Sequence, residues 1–163
     1  MRRALVPLVL LVVLLTGCSP APAPSPSVSP TADDTSWLAM GPEDTRTFHG
    51  AAGQVLLIFV DETYDIDGTY ASALTWRLSN GYTTDYVVED DAGTLWWYGR
   101  EGDWRAGRRG EEPRQVLDAS TAGERAVVEF ADLTVTLERG TGPVQVETPQ
   151  GVYVVDAAAG STS

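Results

Sequence analysis

From residue 54 onward the chain is built from short apolar runs broken by turn residues. Residues 54–60 are a nearly unbroken apolar run of strand length. Residues 70–79 partly alternate between apolar and polar, and residues 82–89 are rich in β-branched and aromatic side chains. Asn80-Gly81 lies between these two segments and is the favoured pair for a two-residue type I′ hairpin. Asp91-Ala92-Gly93 then reads as a three-residue turn with Gly in the left-handed position, leading into a strand over 94–99. Further strands are predicted over 126–130, 133–139, 144–147 and 152–156, separated by Gly, Pro and Asp turns. No stretch carries a capped helical period, although a helical turn or two could sit within 114–122. The predicted fold is therefore all-β and mainly antiparallel: a small meander closing into a sandwich or a half-open barrel.

The two hairpins predict a register. With Asn80-Gly81 as the turn, Ser79 pairs with Tyr82, Trp76 faces Asp85 and Leu74 faces Val87. With Asp90 opposite Thr94, Val87 neighbours Trp97 and Tyr86 neighbours Tyr98. One face then carries Leu74, Trp76, Leu78, Val87, Leu95 and Trp97, with Asp85 and Glu89 among them; the other carries Tyr82, Tyr86, Val88, Trp96 and Tyr98. A one-residue slip would exchange the faces. An antiparallel sheet with one solvated side should be polar there. Both faces here are apolar, so the second is either covered by another layer or lines a groove.

The pattern at the N-terminus is different. Arg2 and Arg3 precede an apolar run of 12 residues, 4–15, interrupted by Pro7. A membrane helix needs about 20 apolar residues, so the run fits the hydrophobic region of an export signal. It ends in Leu15-Thr16-Gly17-Cys18. This quartet resembles the lipobox of bacterial lipoproteins. The resemblance implies that residues 1–17 are removed and that the Cys18 thiol carries a diacylglyceryl group. Such a protein is held by its acyl chains at the outer face of the cell membrane, each buried methylene contributing about 0.8 kcal/mol. Residues 18–36 continue with a Pro/Ser/Ala-rich stretch, which has too few apolar groups to form a core and reads as a linker. Stretched as polyproline II, at about 3.1 Å per residue, it would reach roughly 50 Å. Residues 37–157 contain all five Trp, six Tyr and three Phe and form one β-rich domain; residues 158–163 read as a tail.

Composition narrows the chemistry. The 163 residues include one His, one Cys and no Lys. A two-histidine metal site, a disulfide within the chain, a Schiff base and a phosphate-loop lysine are thereby excluded. Without residues 1–17, nine Arg stand against 23 acidic residues, a charge of −14. That balance disfavours nucleic acid as a partner. No cofactor and no metal are expected.

A second resemblance lies in Thr84-Asp85-Tyr86, in Asp91-Ala92-Gly93-Thr94-Leu95-Trp96-Trp97-Tyr98-Gly99, and in Asp103-Trp104-Arg105-Ala106-Gly107. This sequence of an acidic-aromatic strand, a D-x-G turn, a W-Y-x-G strand and a W-x-A-G loop resembles β-domains of uncharacterised secreted proteins and lipoproteins of high-GC Gram-positive bacteria. It implies a β-rich exported domain and brings no catalytic residues.

Several clusters could carry function. Asp61, Asp65 and Asp67 include a D-x-D-G piece, but the twelfth position of a calcium loop from Asp65 is Trp76, so the pattern fails. Asp85 and Glu89 share a predicted strand face and are the carboxylate pair a hydrolase would use. His49 could serve a catalytic triad, but no G-x-S-x-G elbow seats a Ser. Tyr82, Tyr86, Trp96 and Tyr98 form a candidate surface for an envelope glycan or lipid. Trp104, Arg105, Arg108 and Arg109 lie in a basic loop that could dock a protein partner. An exposed strand edge is the other docking feature a β-domain would offer. The expectation is binding rather than catalysis.

Overall fold

A computed structural model describes residues 35–155. Ten strands make a single antiparallel sheet that rolls into a nearly closed barrel: β1 (Thr45–Gly50), β2 (Gly53–Ile66), β3 (Thr69–Leu78), β4 (Gly81–Glu89), β5 (Leu95–Arg100), β6 (Arg114–Leu117), β7 (Arg125–Phe130), β8 (Leu133–Glu138), β9 (Gly142–Thr148) and β10 (Gly151–Val155). The spatial order is β6-β5-β4-β3-β2-β1-β10-β9-β8-β7. Every paired neighbour but one is consecutive in the chain; the exception is β1 with β10, which closes the sheet between its two chain ends. The expected all-β meander, as a half-open barrel, is the fold observed.

The core fills the barrel. Phe48, Leu57, Leu74, Trp76, Val87, Leu95, Phe130, Leu133 and Leu137 point inward and are buried. Before β1, Trp37 closes one mouth and is fully buried, with Arg139 above its ring at 4.4 Å. Glu89 fastens this plug: it accepts the Ser36 hydroxyl at 2.7 Å and the Trp37 N–H at 3.0 Å. The β8–β9 turn holds it from the other side through Gly140 N–H to the Ser36 carbonyl.

The β3–β4 hairpin differs from the predicted register by two residues. Leu78 pairs with Gly81, so Ser79 and Asn80 form the turn, and Leu74 faces Asp85. Neither Ser79 nor Asn80 has the positive φ that a type I′ turn requires; Gly81 takes it instead, at 138°. A shift of two preserves the faces, and the predicted inner set is indeed the core. The β4–β5 hairpin matches, with Val87 opposite Trp97 and Gly93 at φ 79°. Its one departure is a bulge: Tyr86 faces Gly99, not Tyr98. Within 114–122, residues 114–117 are β6 and a single turn follows, with Ala122 N–H reaching the Asp118 carbonyl at 3.0 Å. The acidic stretch after residue 60 is also strand, since β2 runs on to Ile66 past a bulge.

Candidate functional site

The barrel does not close between β6 and β7. These edge strands approach each other without pairing. The cause is local to the β5–β6 connection. Gly99, at φ 141°, lets the returning chain come against β5, so that Gly99 bridges Arg105 and Ala106 N–H reaches the Tyr98 carbonyl at 2.9 Å. A Cβ on Gly99 would collide with the Trp104 carbonyl. The lower half of β5 is thus occupied, and β6 begins only after Pro113, with four residues. What remains between β6 and β7 is a groove of about 510 Å³ lined by Trp97, Arg114, Gln115, Val116, Val127, Glu129 and Ala131.

Both ends of this seam are fastened. At the mouth holding Trp37, the connection over residues 118–124 joins the two strands, and Arg139 N–H bonds the Glu124 carbonyl at 2.9 Å. At the other mouth, Arg100 at the end of β5 reaches across. Its guanidinium donates to Asp85 on β4 through two bonds of 2.9 Å, to the Phe130 carbonyl at 2.7 Å and to Asp132 at 2.5 Å. Asp85 is fully buried and also accepts the Trp97 indole N–H at 3.0 Å. Burial pushes the Asp85 carboxyl above the ordinary aspartate value, while the Arg100 and Trp97 donors pull against that rise. Burial alone would lower the Arg100 pKa, but Asp85 and Asp132 overcome it and hold the guanidinium charged.

The proposed aromatic surface is not brought together as one open face. Tyr86 is buried beneath Arg105, which donates to its hydroxyl at 2.6 Å and lies 4.4 Å from its ring. Tyr98 packs with Tyr86 in a second cluster on the outer face, under the β5–β6 connection. Tyr82 remains 68% exposed. Trp96 is partly exposed and donates its indole N–H to Asp90. It pairs with Val88, six residues along β4 from Tyr82, or about 20 Å at ~3.3 Å per residue. A covering layer therefore accounts for the apolar outer face around Tyr86.

The basic loop divides in the same way. Trp104 and Arg105 pack back onto the sheet, Trp104 meeting Trp97 edge-on at 5.0 Å. Arg108 and Arg109 stand exposed on a short 3-10 turn (Arg108–Gly110). Asp85 and Glu89 do share the inner face, but they lie at opposite mouths, and each is engaged by the side chains just described. Asp65 accepts Gly68 N–H in a local turn, and among the described residues no group of acidic, His or Cys side chains is arranged to hold a metal ion. His49 is exposed on β1. Cys18 lies outside the described residues.

Local sequence places Arg100 in a basic cluster with Arg105, Arg108, Arg109 and Arg114 but signals neither its clasp nor the seam. Pro113 ahead of a short polar-apolar segment was the available signal for a late, short edge strand. Comparisons with protein-family models, curated proteins and solved structures find no match for this chain.

Proposed function

We propose that the chain is an exported lipoprotein, held at the outer face of a cell membrane through Cys18, and that its barrel binds an extended segment of a partner protein without catalysis. The observation that carries the binding reading is the seam. Two strand edges with unpaired backbone groups flank a groove in which Trp97, Val116, Val127 and Ala131 mix with Arg114, Gln115 and Glu129, and extended peptides add to sheets at such edges. Val127 is 62% exposed there, on an edge strand that natural sheets usually guard with charge. Other features support the same reading. The interior is filled by Trp37, Trp76, Phe48 and Phe130, so an acyl chain would have to displace core side chains. Asp85 and Glu89 spend their oxygens on internal donors, which takes that pair out of consideration as hydrolase carboxylates.

The test uses the mature chain purified in detergent. Peptides selected from a random library should slow amide hydrogen exchange in β6 and β7 and leave β1 and β10 unchanged. Protection around Tyr82 or Trp96 by envelope oligosaccharides, with none at the seam, would replace the peptide reading by the glycan one. For the anchor, Cys18→Ser should move the protein from the membrane to the soluble exported fraction; retention in the membrane would refute lipidation.

A further inference from the structure

Resting on the seam reading, we infer that Arg114 reads a single carboxylate on the docking segment, so that the partner strand carries an acidic residue where it passes the start of β6. Arg114 is exposed at the groove and forms no ion pair with another described residue. The lack of a carboxylate does not set it apart, since among the described residues only Arg100 and Arg125 have one; its place at the groove does. It is nonetheless held in place. Its central carbon lies 4.1 Å from the centre of the Trp104 ring and 5.4 Å from that of Trp97. Those rings stand at 83° to one another and make a corner for the cation. A guanidinium so positioned loses little side-chain freedom when it binds, and its planar fork matches a carboxylate through two parallel hydrogen bonds.

The facing wall sharpens the choice of ligand. Glu129 lines the groove from β7 and forms no ion pair with Arg114 across it. A polyanion laid along the seam would meet that negative wall. One carboxylate on the β6 side, carried by an otherwise neutral strand with apolar contacts to Val116 and Val127, avoids it.

Capped peptides of about eight residues, alternating Thr and Val with a central Glu, Gln or Lys, test this on the mature chain in detergent. Affinity is read by fluorescence anisotropy, and position by hydrogen exchange. The Glu peptide should bind about tenfold more tightly than the Gln peptide, a difference of about 1.4 kcal/mol, with the Lys peptide weakest. Arg114→Glu should reverse that order. Arg114→Lys keeps the charge but not the fork and should reduce the Glu preference without reversing it; a preference unchanged in Arg114→Lys and abolished in neither variant would overturn the assignment. Equal binding of all three peptides, with β6 and β7 protected, would overturn the carboxylate assignment and leave the seam standing. If none of the peptides protects those strands, the seam reading fails and this inference with it.

Discussion

The rolled sheet meets itself at two junctions, β1–β10 and β6–β7, and the chain treats them differently. At β1–β10 the backbone does the joining: Phe48 pairs with Val155 and His49 with Val154. Gly50 lies so close to β10 that a Cβ there would meet the Val152 carbonyl and the Tyr153 ring. Arg46 adds bonds to the Thr141 and Pro143 carbonyls of 2.6 and 2.8 Å. At β6–β7 no ladder forms, and the edges are held at one mouth by a connection and at the other by the Arg100 clasp. A ladder consumes both edges. A clasp fixes their separation and leaves the edges between its ends free. Buried ion pairs are weak sources of net stability, and apolar packing of similar volume often serves as well. The clasp is better understood as a device that holds an opening than as one that maximises stability.

The most forceful way to break this comparison is Arg100→Met. It strands the buried Asp85 carboxylate and removes the bonds to Phe130 and Asp132. Urea denaturation should show a loss of about 3–5 kcal/mol. The double variant Asp85→Leu with Arg100→Met should recover much of that loss, because no charge is left unpaired. A loss below about 1 kcal/mol in the single variant would mean that Asp85 finds other partners, and the seam would then owe its shape to packing alone. The closed junction offers the matching test. Gly50→Ala forces backbone and ring apart where β10 packs and should cost about 1–3 kcal/mol, with β10 amides exchanging faster than those of β7.

The contrast also explains what could be read from the sequence. Inner and outer residues of β3 to β5 were legible because strand alternation survives a register shift of two, as at Leu74 and Asp85. The Asp91-Ala92-Gly93 turn was legible because its geometry is set by Gly93 and by Asp90, which accepts Ala92 and Thr94 N–H. By contrast β1 was invisible: within Thr45–Gly50 only Phe48 is buried, so there is no alternation to detect. β6 gives no signal of its own because its four residues carry no period. The seam depends on where Arg100 finds partners 30 and 32 residues away, and no local pattern encodes such a meeting. Alternation reveals Tyr86, Val88 and Tyr98 as one face, but its cover comes from Trp104, Arg105 and Ala106, which reach it through the Gly99 bulge.

The smallest effect sets an aspartate of β4 and one of the β4–β5 turn against each other through pH. Asp85 has its folded pKa raised, chiefly by burial. Its contribution to stability is therefore fully present below the unfolded value of about 3.9 and is lost as pH rises through the folded value. At Asp90, burial opposes ionisation, but the hydrogen bonds from Trp96, Thr94 and Ala92 outweigh it and hold the pKa down. Its contribution is present above about 3.9 and is lost as pH falls through the depressed folded value. Asp90 sits on an exposed turn, so solvent screens its effect and the difference should be slight. In urea titrations across the acid range, wild type minus Asp90→Asn should grow with rising pH, while wild type minus Asp85→Asn should shrink. Two differences of the same sign would mean that Asp85 is held chiefly by Arg100 rather than disfavoured by burial. The clasp would then be a net source of stability, and the distinction drawn between the two junctions would narrow.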